Sequence, residues 1–233
     1  VLRNLTPSAV QESLDALAAA IERVQIIMLA GGFSAGDEPD GSGKFITAAL
    51  SSPRVKAAVE SLLNKRDGLM LGICNGFQAL VKLGLVPYGD IRPLTADSPT
   101  LTYNTVGRHI SAMVQTRITS TLSPWLANVE VGDIHTVAIS HGEGRFIAEP
   151  AMLEMLIKNG QIATQYVDTD GQAVMANAFN PNGAAYAIEA ITSPDGRVLG
   201  KMAHSERIGT AVGINIPGNK DQGIFAAGVK YFG

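Results

Sequence analysis

The sequence has one cysteine, one tryptophan and only 6% aromatic residues in 233 positions. A single cysteine excludes an intrachain disulfide and any Cys-x-x-Cys metal pair, and it fits a reducing, cytoplasmic setting. Long apolar runs are missing as well. No apolar stretch, Val24 to Ala30 included, is nearly long enough to span a bilayer, and Val1 opens no secretory signal, so no membrane partner is expected. There is no excess of positive charge. The net charge is −3 with no Lys/Arg cluster, which argues against a nucleic-acid partner. An initiating Met is also lacking, and Val1-Leu2-Arg3 reads as the tail of a strand cut open. The chain is therefore expected to be a piece of a longer polypeptide.

What remains is an ordinary globular composition, 46% hydrophobic and 17% charged, at a length that suits one α/β domain over residues 1–233. Thr6-Pro7 is a helix start, a hydroxyl N-cap followed by proline at the first helical position. Val10, Leu14, Leu17, Ala18 and Ile21 follow at helical spacing. Gln25 to Ala30 reads as a strand buried on both faces of a parallel sheet. Pro53 to Lys65 predicts an amphipathic helix, Gly68 to Ile73 a second buried strand, and the residues after Cys74 a third helix. Residues 106–118 and 135–139 alternate loosely, as strands do. Ala151 to Lys158 predicts a helix and Ile162 to Val167 a strand. Pro194-Asp195-Gly196 marks a turn between two strands, 186–192 and 197–202, and Gly223 to Tyr231 a closing helix. The alternation predicts a doubly wound sheet.

The lone cysteine sits in Gly72-Ile73-Cys74-Asn75-Gly76, between a buried strand and a helix. A sharp strand-to-helix turn strains the nucleophile's backbone, and the flanking glycines relieve the crowding. The helix N-terminus favours thiolate there, and the Asn75 N–H can face a developing oxyanion. A cysteine nucleophile needs a base. Of four histidines, His109, His135, His141 and His204, it is His204 that follows the predicted strand 197–202 and has a carboxylate, Glu206, two residues on. In an extended chain those positions share a face, so Glu206 can fix the imidazole tautomer. No metal site is expected, because one cysteine and a His-x-Glu pair do not make a zinc set.

Gly32-Phe33-Ser34-Ala35-Gly36 matches Gly-x-Ser-x-Gly, the serine-hydrolase elbow. The acidic, proline-containing run Asp37 to Gly41 cannot start a helix behind Ser34, which weighs against that reading. Gly41-Ser42-Gly43-Lys44 resembles the end of a phosphate loop, but Glu38 stands at its first glycine and Phe45 at its hydroxyl position. Ser140 to Phe146 follows a strand and is either a tight turn or a ligand-contacting loop.

Together, Gly31 to Asp37, Gly72 to Gln78, Ser140 to Phe146, Asn180-Pro181-Asn182-Gly183 and His204-Ser205-Glu206-Arg207 resemble the class I, triad-type glutamine amidotransferases. Within them they resemble the glutaminase domains of the phosphoribosylformylglycinamidine synthase family, and the closing Pro217-Gly218-Asn219-Lys220-Asp221-Gln222 resembles its long single-chain bacterial form. The resemblance runs over nearly the whole chain. It implies an open, mostly parallel sheet with helices on both faces, lacking its N-terminal strand and helix. It implies that Cys74 attacks the glutamine side-chain amide to form a thioester, with His204 moving protons and Glu206 holding it. Backbone N–H groups of Gly32, Phe33 and Asn75 would form the oxyanion hole. Gln78, Ser140, Gly142 and Glu143 would hold the amino-acid end of glutamine. Ammonia would pass to a synthetase domain, of the same or a partner chain, that uses ATP and Mg to convert formylglycinamide ribonucleotide to its amidine. This domain itself would need no cofactor. Many relatives carry proline on both sides of the triad histidine, where Ala203 and Ser205 stand here. Alternatives are a glutaminase serving another synthetase and a non-catalytic assembly domain. Without the preceding strand, the isolated chain is expected to be slow or inactive.

Overall fold

The computed structural model describes residues 2–32 and 42–233. Helix α1, Pro7–Ile21, begins as predicted, with the Thr6 hydroxyl accepting a hydrogen bond from the Ala9 N–H at 3.2 Å. It leads into β1, Ile26–Leu29. Two helices follow, α2 (Lys44–Ser51) and α3 (Pro53–Lys65), then β2 (Leu69–Ile73), α4 (Asn75–Leu83) and a single turn, α5 (Leu85–Tyr88). The remainder is richer in strands: β3 (Thr100–Thr102), β4 (Ile110–Ile118), β5 (Ile134–His141), β6 (Arg145–Ile147), α6 (Pro150–Lys158), β7 (Ile162–Val167), β8 (Ile188–Thr192), β9 (Val198–Lys201) and α7 (Ile224–Lys230).

Seven strands form one sheet in the order β1-β2-β9-β8-β7-β4-β5, and β3 pairs with β6 in a small second sheet. The α/β class stands. Its parallel part is confined to β1, β2 and β9, and the other four pairings are antiparallel. The connections explain this balance. Parallel neighbours need a crossover of a dozen or more residues, which the helices α2 and α3 provide between β1 and β2. Later links are shorter: β8 and β9 form the predicted hairpin, closed by Gly196 N–H to Ser193 O at 2.9 Å.

β2 fits its expectation, with all five residues buried. β1 does not. It is the outermost strand, paired only with β2 among the described residues, and Met28 is 41% exposed. An apolar groove of about 680 Å³ runs beside it, lined by Leu2, Leu17, Met28, Phe45 and Ile46 among others. This groove lies at the sheet edge and not at Cys74.

Helix α4 lies flat on β2 and β9. A methyl group added at Gly72 would sit 2.5 Å from Leu80 Cδ1, so glycine is what allows this approach. On the hairpin side, Trp125 is buried and donates its indole N–H to Met70 O at 3.0 Å. Helix α7 packs against the same ring. No described helix is long and apolar enough to cross a membrane.

Candidate active site

The C-terminal ends of the parallel strands β2 and β9 carry Cys74 and the segment leading to His204. In the β2–β9 register Ile73 faces Lys201, and the Cys74 N–H donates to Lys201 O at 2.8 Å. Cys74 itself has φ 52° and ψ −106°, a conformation that a non-glycine residue holds only at a cost of about 1–3 kcal/mol. The next residue, Asn75, is the first of α4. This is the strand-to-helix elbow that the glycine-flanked sequence predicted.

The flanking glycines do more than relieve that turn. A methyl at Gly76 would lie 2.1 Å from Leu29 O, so the first turn of α4 is pressed against the backbone of β1. That contact brings the end of β1 up to the sulfur. The backbone N–H groups of Asn75 and Gly32, from two elements, both lie close enough to the Cys74 thiol to favour its charged form. They flank the sulfur, beside the place where an oxyanion would develop. Phe33, the third expected contributor, lies outside the described residues, and so does Ser34, the serine-hydrolase candidate.

His204 reaches the same place from the other strand. A methyl at Gly31 would come within 2.7 Å of His204 Cε1 and 3.3 Å of Cys74 Cβ, so both side chains border one small volume that only glycine leaves open. His204 is 4% exposed; its Nδ1 lies 2.5 Å from Glu206 Oε1, while its buried Nε2 has no partner among the described residues. The expected pairing is present, but its geometry differs from the prediction. His204 makes only an isolated bridge to Ala138, and the chain turns immediately, with Arg207 N–H on His204 O at 3.2 Å. Glu206 folds back around a turn instead of sharing a strand face.

Charge at the site is set mainly by burial. Burial pushes the Cys74 thiol up to about 11, more than the Asn75 N–H, the Arg207 charge and the Gly32 N–H together draw it down. The helix N-terminus draws the sulfur toward thiolate in the expected direction, and burial outweighs it in the resting site. Burial also raises Glu206, but the hydrogen bond to His204, a backbone N–H and the His204 and Arg207 charges leave its carboxyl below the ordinary value. An ionised Glu206 on Nδ1 fixes the tautomer that leaves Nε2 free to accept a proton.

The four residues expected at the amino-acid end of glutamine line one loop. Ser140 O accepts a weak contact from Cys74 Sγ at 3.7 Å, and its hydroxyl lies 3.1 Å from His109 Nε2. Gln78 donates to Glu143 O at 2.5 Å, and the Glu143 carboxylate accepts the Ser42 N–H at 3.0 Å. Gly142 O accepts the Asn104 N–H at 2.9 Å.

Sequence reasoning missed what shapes this loop. Asn104, 2% exposed, donates to Arg108 O and His141 O and accepts the Gly144 N–H. His141 stacks on Gly144 so closely that a methyl there would lie 2.4 Å from its ring. Burial, then the charges of His109 and His204, bring the His141 pKa down to about 4. Asn182 donates to Gly144 O at 2.7 Å, so the Asn180 to Gly183 motif braces the loop from behind. No local sequence signal marks Asn104, whose partners in the loop, His141 and Gly144, are more than 30 residues away.

A family model for the CobB/CobQ-like glutamine amidotransferase domain matches residues 3–232, and the chain belongs to that family. Its relatives narrow the class. The phosphoribosylformylglycinamidine synthase subunit PurQ of Synechococcus elongatus is 34% identical over 206 residues, covering 87% of this chain and 78% of that protein. The phosphoribosylformylglycinamidine synthase of Dictyostelium discoideum is 33% identical over 80% of this chain, a match that spans only 14% of that longer protein. Among solved structures, PurLQS from Thermotoga maritima aligns with a TM-score of 0.65 at 25% identity, over 90% of this chain and 80% of that one.

Proposed function

We propose that this chain hydrolyses glutamine and delivers the ammonia to a synthetase, with Cys74 as nucleophile and His204–Glu206 as its base pair. The carrying observation is the convergence on Cys74 of two backbone N–H groups and a carboxylate-held imidazole. An amide is a poor electrophile and ammonia a poor leaving group, so the reaction needs a strong nucleophile, an oxyanion cradle and an acid for the departing nitrogen. His204 Nε2 takes the thiol proton as sulfur attacks the side-chain carbonyl carbon. The tetrahedral oxygen is held by the Asn75 and Gly32 N–H groups, joined by Phe33. His204 then gives its proton to the leaving nitrogen, and ammonia departs from a thioester that water hydrolyses to glutamate. Gln78 and Glu143, through the loop they close, and Ser140 and Gly142 hold the substrate's amino-acid end.

The relatives' name, phosphoribosylformylglycinamidine synthase, supports delivery of the ammonia to the making of that amidine on a synthetase of the same or a partner chain, where ATP and Mg would act. No cofactor is needed in the glutaminase step. Mass spectrometry after incubation with 6-diazo-5-oxo-norleucine tests the reading. A single adduct on Cys74, blocked by excess glutamine, is expected. Cys74→Ser should lower glutamine hydrolysis by more than about 10³-fold, since an unactivated hydroxyl is a far weaker nucleophile. Undiminished turnover in that variant would refute the assignment.

A further inference from the structure

One buried ion pair has no part in the proton chemistry just described. Lys201 and Glu189 are 1% and 0% exposed, with Nζ 3.4 Å from Oε1. Burying two charges costs several kcal/mol, and an apolar pair of similar volume is often at least as stable. Stability alone therefore does not explain this pair. Its hydrogen bonds do.

The β8–β9 ladder ends at Lys201, opposite Ala190. Three residues later the chain must present an imidazole to Cys74, and this departure strips Ala203 of strand partners. Ala203 is fully buried, so its N–H and C=O both need replacements. Glu189 Oε1 accepts the Ala203 N–H at 2.7 Å, and Lys201 Nζ donates to Ala203 O at 3.0 Å. Thr164 donates its hydroxyl to the other carboxylate oxygen, Oε2. Each of the pair's charged groups thus holds one side of the peptide residue directly before His204. Lys201 has a second connection: its own carbonyl accepts the Cys74 N–H at 2.8 Å.

We infer that Glu189 and Lys201 are positioning residues for the triad, clamping Ala203 so that His204 stays in register with Cys74. The inference rests on the catalytic reading of Cys74 and His204. Neither charge is among the groups that set the Cys74 thiol, so the clamp acts on it through geometry. It also supplies rigidity that an alanine before the histidine cannot supply by itself. Ser205, on the other side, is held separately by its hydroxyl on Gln222 Oε1 at 2.6 Å.

The test is the double variant Glu189→Met, Lys201→Met, which leaves no buried charge but removes both partners of Ala203. Labelling of Cys74 by 6-diazo-5-oxo-norleucine, measured well below the variant's own thermal midpoint, should fall roughly tenfold or more in maximum rate with a half-saturation within about twofold. Glu189→Gln combined with Lys201→Met, which keeps an acceptor for the Ala203 N–H and still leaves no buried charge, should recover most of that rate. The His204 Nδ1 proton resonance reads the same displacement without turnover: it should move in the double variant while the Trp125 indole proton stays in place. A double variant that labels like the wild type, or whose His204 resonance is unmoved, overturns the inference. His204→Gln in the same assay keeps the two claims apart, because normal labelling in that variant would sink the triad itself and not merely its clamp.

Discussion

At Cys74 two influences oppose one another. The N-terminus of α4 and two backbone N–H groups favour the thiolate, and burial favours the thiol. Burial is the larger, so the resting site holds a protonated thiol with a pKa near 11. Proton removal by His204 therefore belongs to the attack itself. Alkylation of Cys74 by iodoacetamide, which needs thiolate but no aligned amide, should show no plateau at neutral pH and keep rising through pH 9–10. A plateau by pH 7 would mean the thiolate is already formed.

His141 makes a second claim at this scale. Its folded pKa of about 4 lies below the ordinary histidine value near 6.5, so between those limits the unfolded chain holds a proton that the folded one refuses. The stabilisation is complete above pH 6.5 and is lost as pH falls toward 4, on the order of 3 kcal/mol if His141 acts alone. Burial shifts His135 in the same direction. Thermal midpoints measured from pH 7 to 4.5 should fall less steeply for His141→Gln than for the wild type.

At the scale of elements, close approach decides which residues are tolerated at the elbow. Helix α4 can start where it does only because Gly76 meets the Leu29 carbonyl without a side chain. The obstacle there is backbone, which cannot swing aside as a flexible side chain would. Gly76→Ala should cost on the order of 3 kcal/mol and, by lifting α4 from β1, separate the Gly32 and Asn75 donors. Denaturant melts and glutamine hydrolysis check the two effects independently. The helices α1, α3 and α6, the hairpin β8–β9 and the buried strand β2 were all legible, because each carries its own periodicity, cap or turn residues. Helix α2 and the strands β3 and β6 were not. At eight and three residues they are too short to show a period, and the two strands exist only through pairing with each other.

Across the whole molecule, position in the sheet outweighs the composition of a strand. β1 and β2 are both apolar and are neighbours in register, with Met28 opposite Leu71. Leu71 is fully buried and Met28 is 41% exposed, because β2 lies inside the sheet and β1 at its edge. Leu71→Ala should cost about 2–5 kcal/mol, and Met28→Ala less than about 1 kcal/mol. Equal losses in chemical denaturation would show that the β1 edge is covered in solution.

The sequence by itself determined the local matters: the elbow around Cys74, the proximity of His204 and Glu206, the hairpin turn, and the helices with their starts. Those depend on residues a few positions apart, where steric and hydrogen-bonding preferences act without help from the rest of the chain. Only the tertiary structure decided which backbone N–H groups meet the sulfur, which way the thiol's protonation is drawn, and that Glu189 and Lys201 stand behind Ala203. These are sums over groups far apart in the chain, and burial, the largest contributor to the Cys74 shift, is a property of the assembled core and of no single segment.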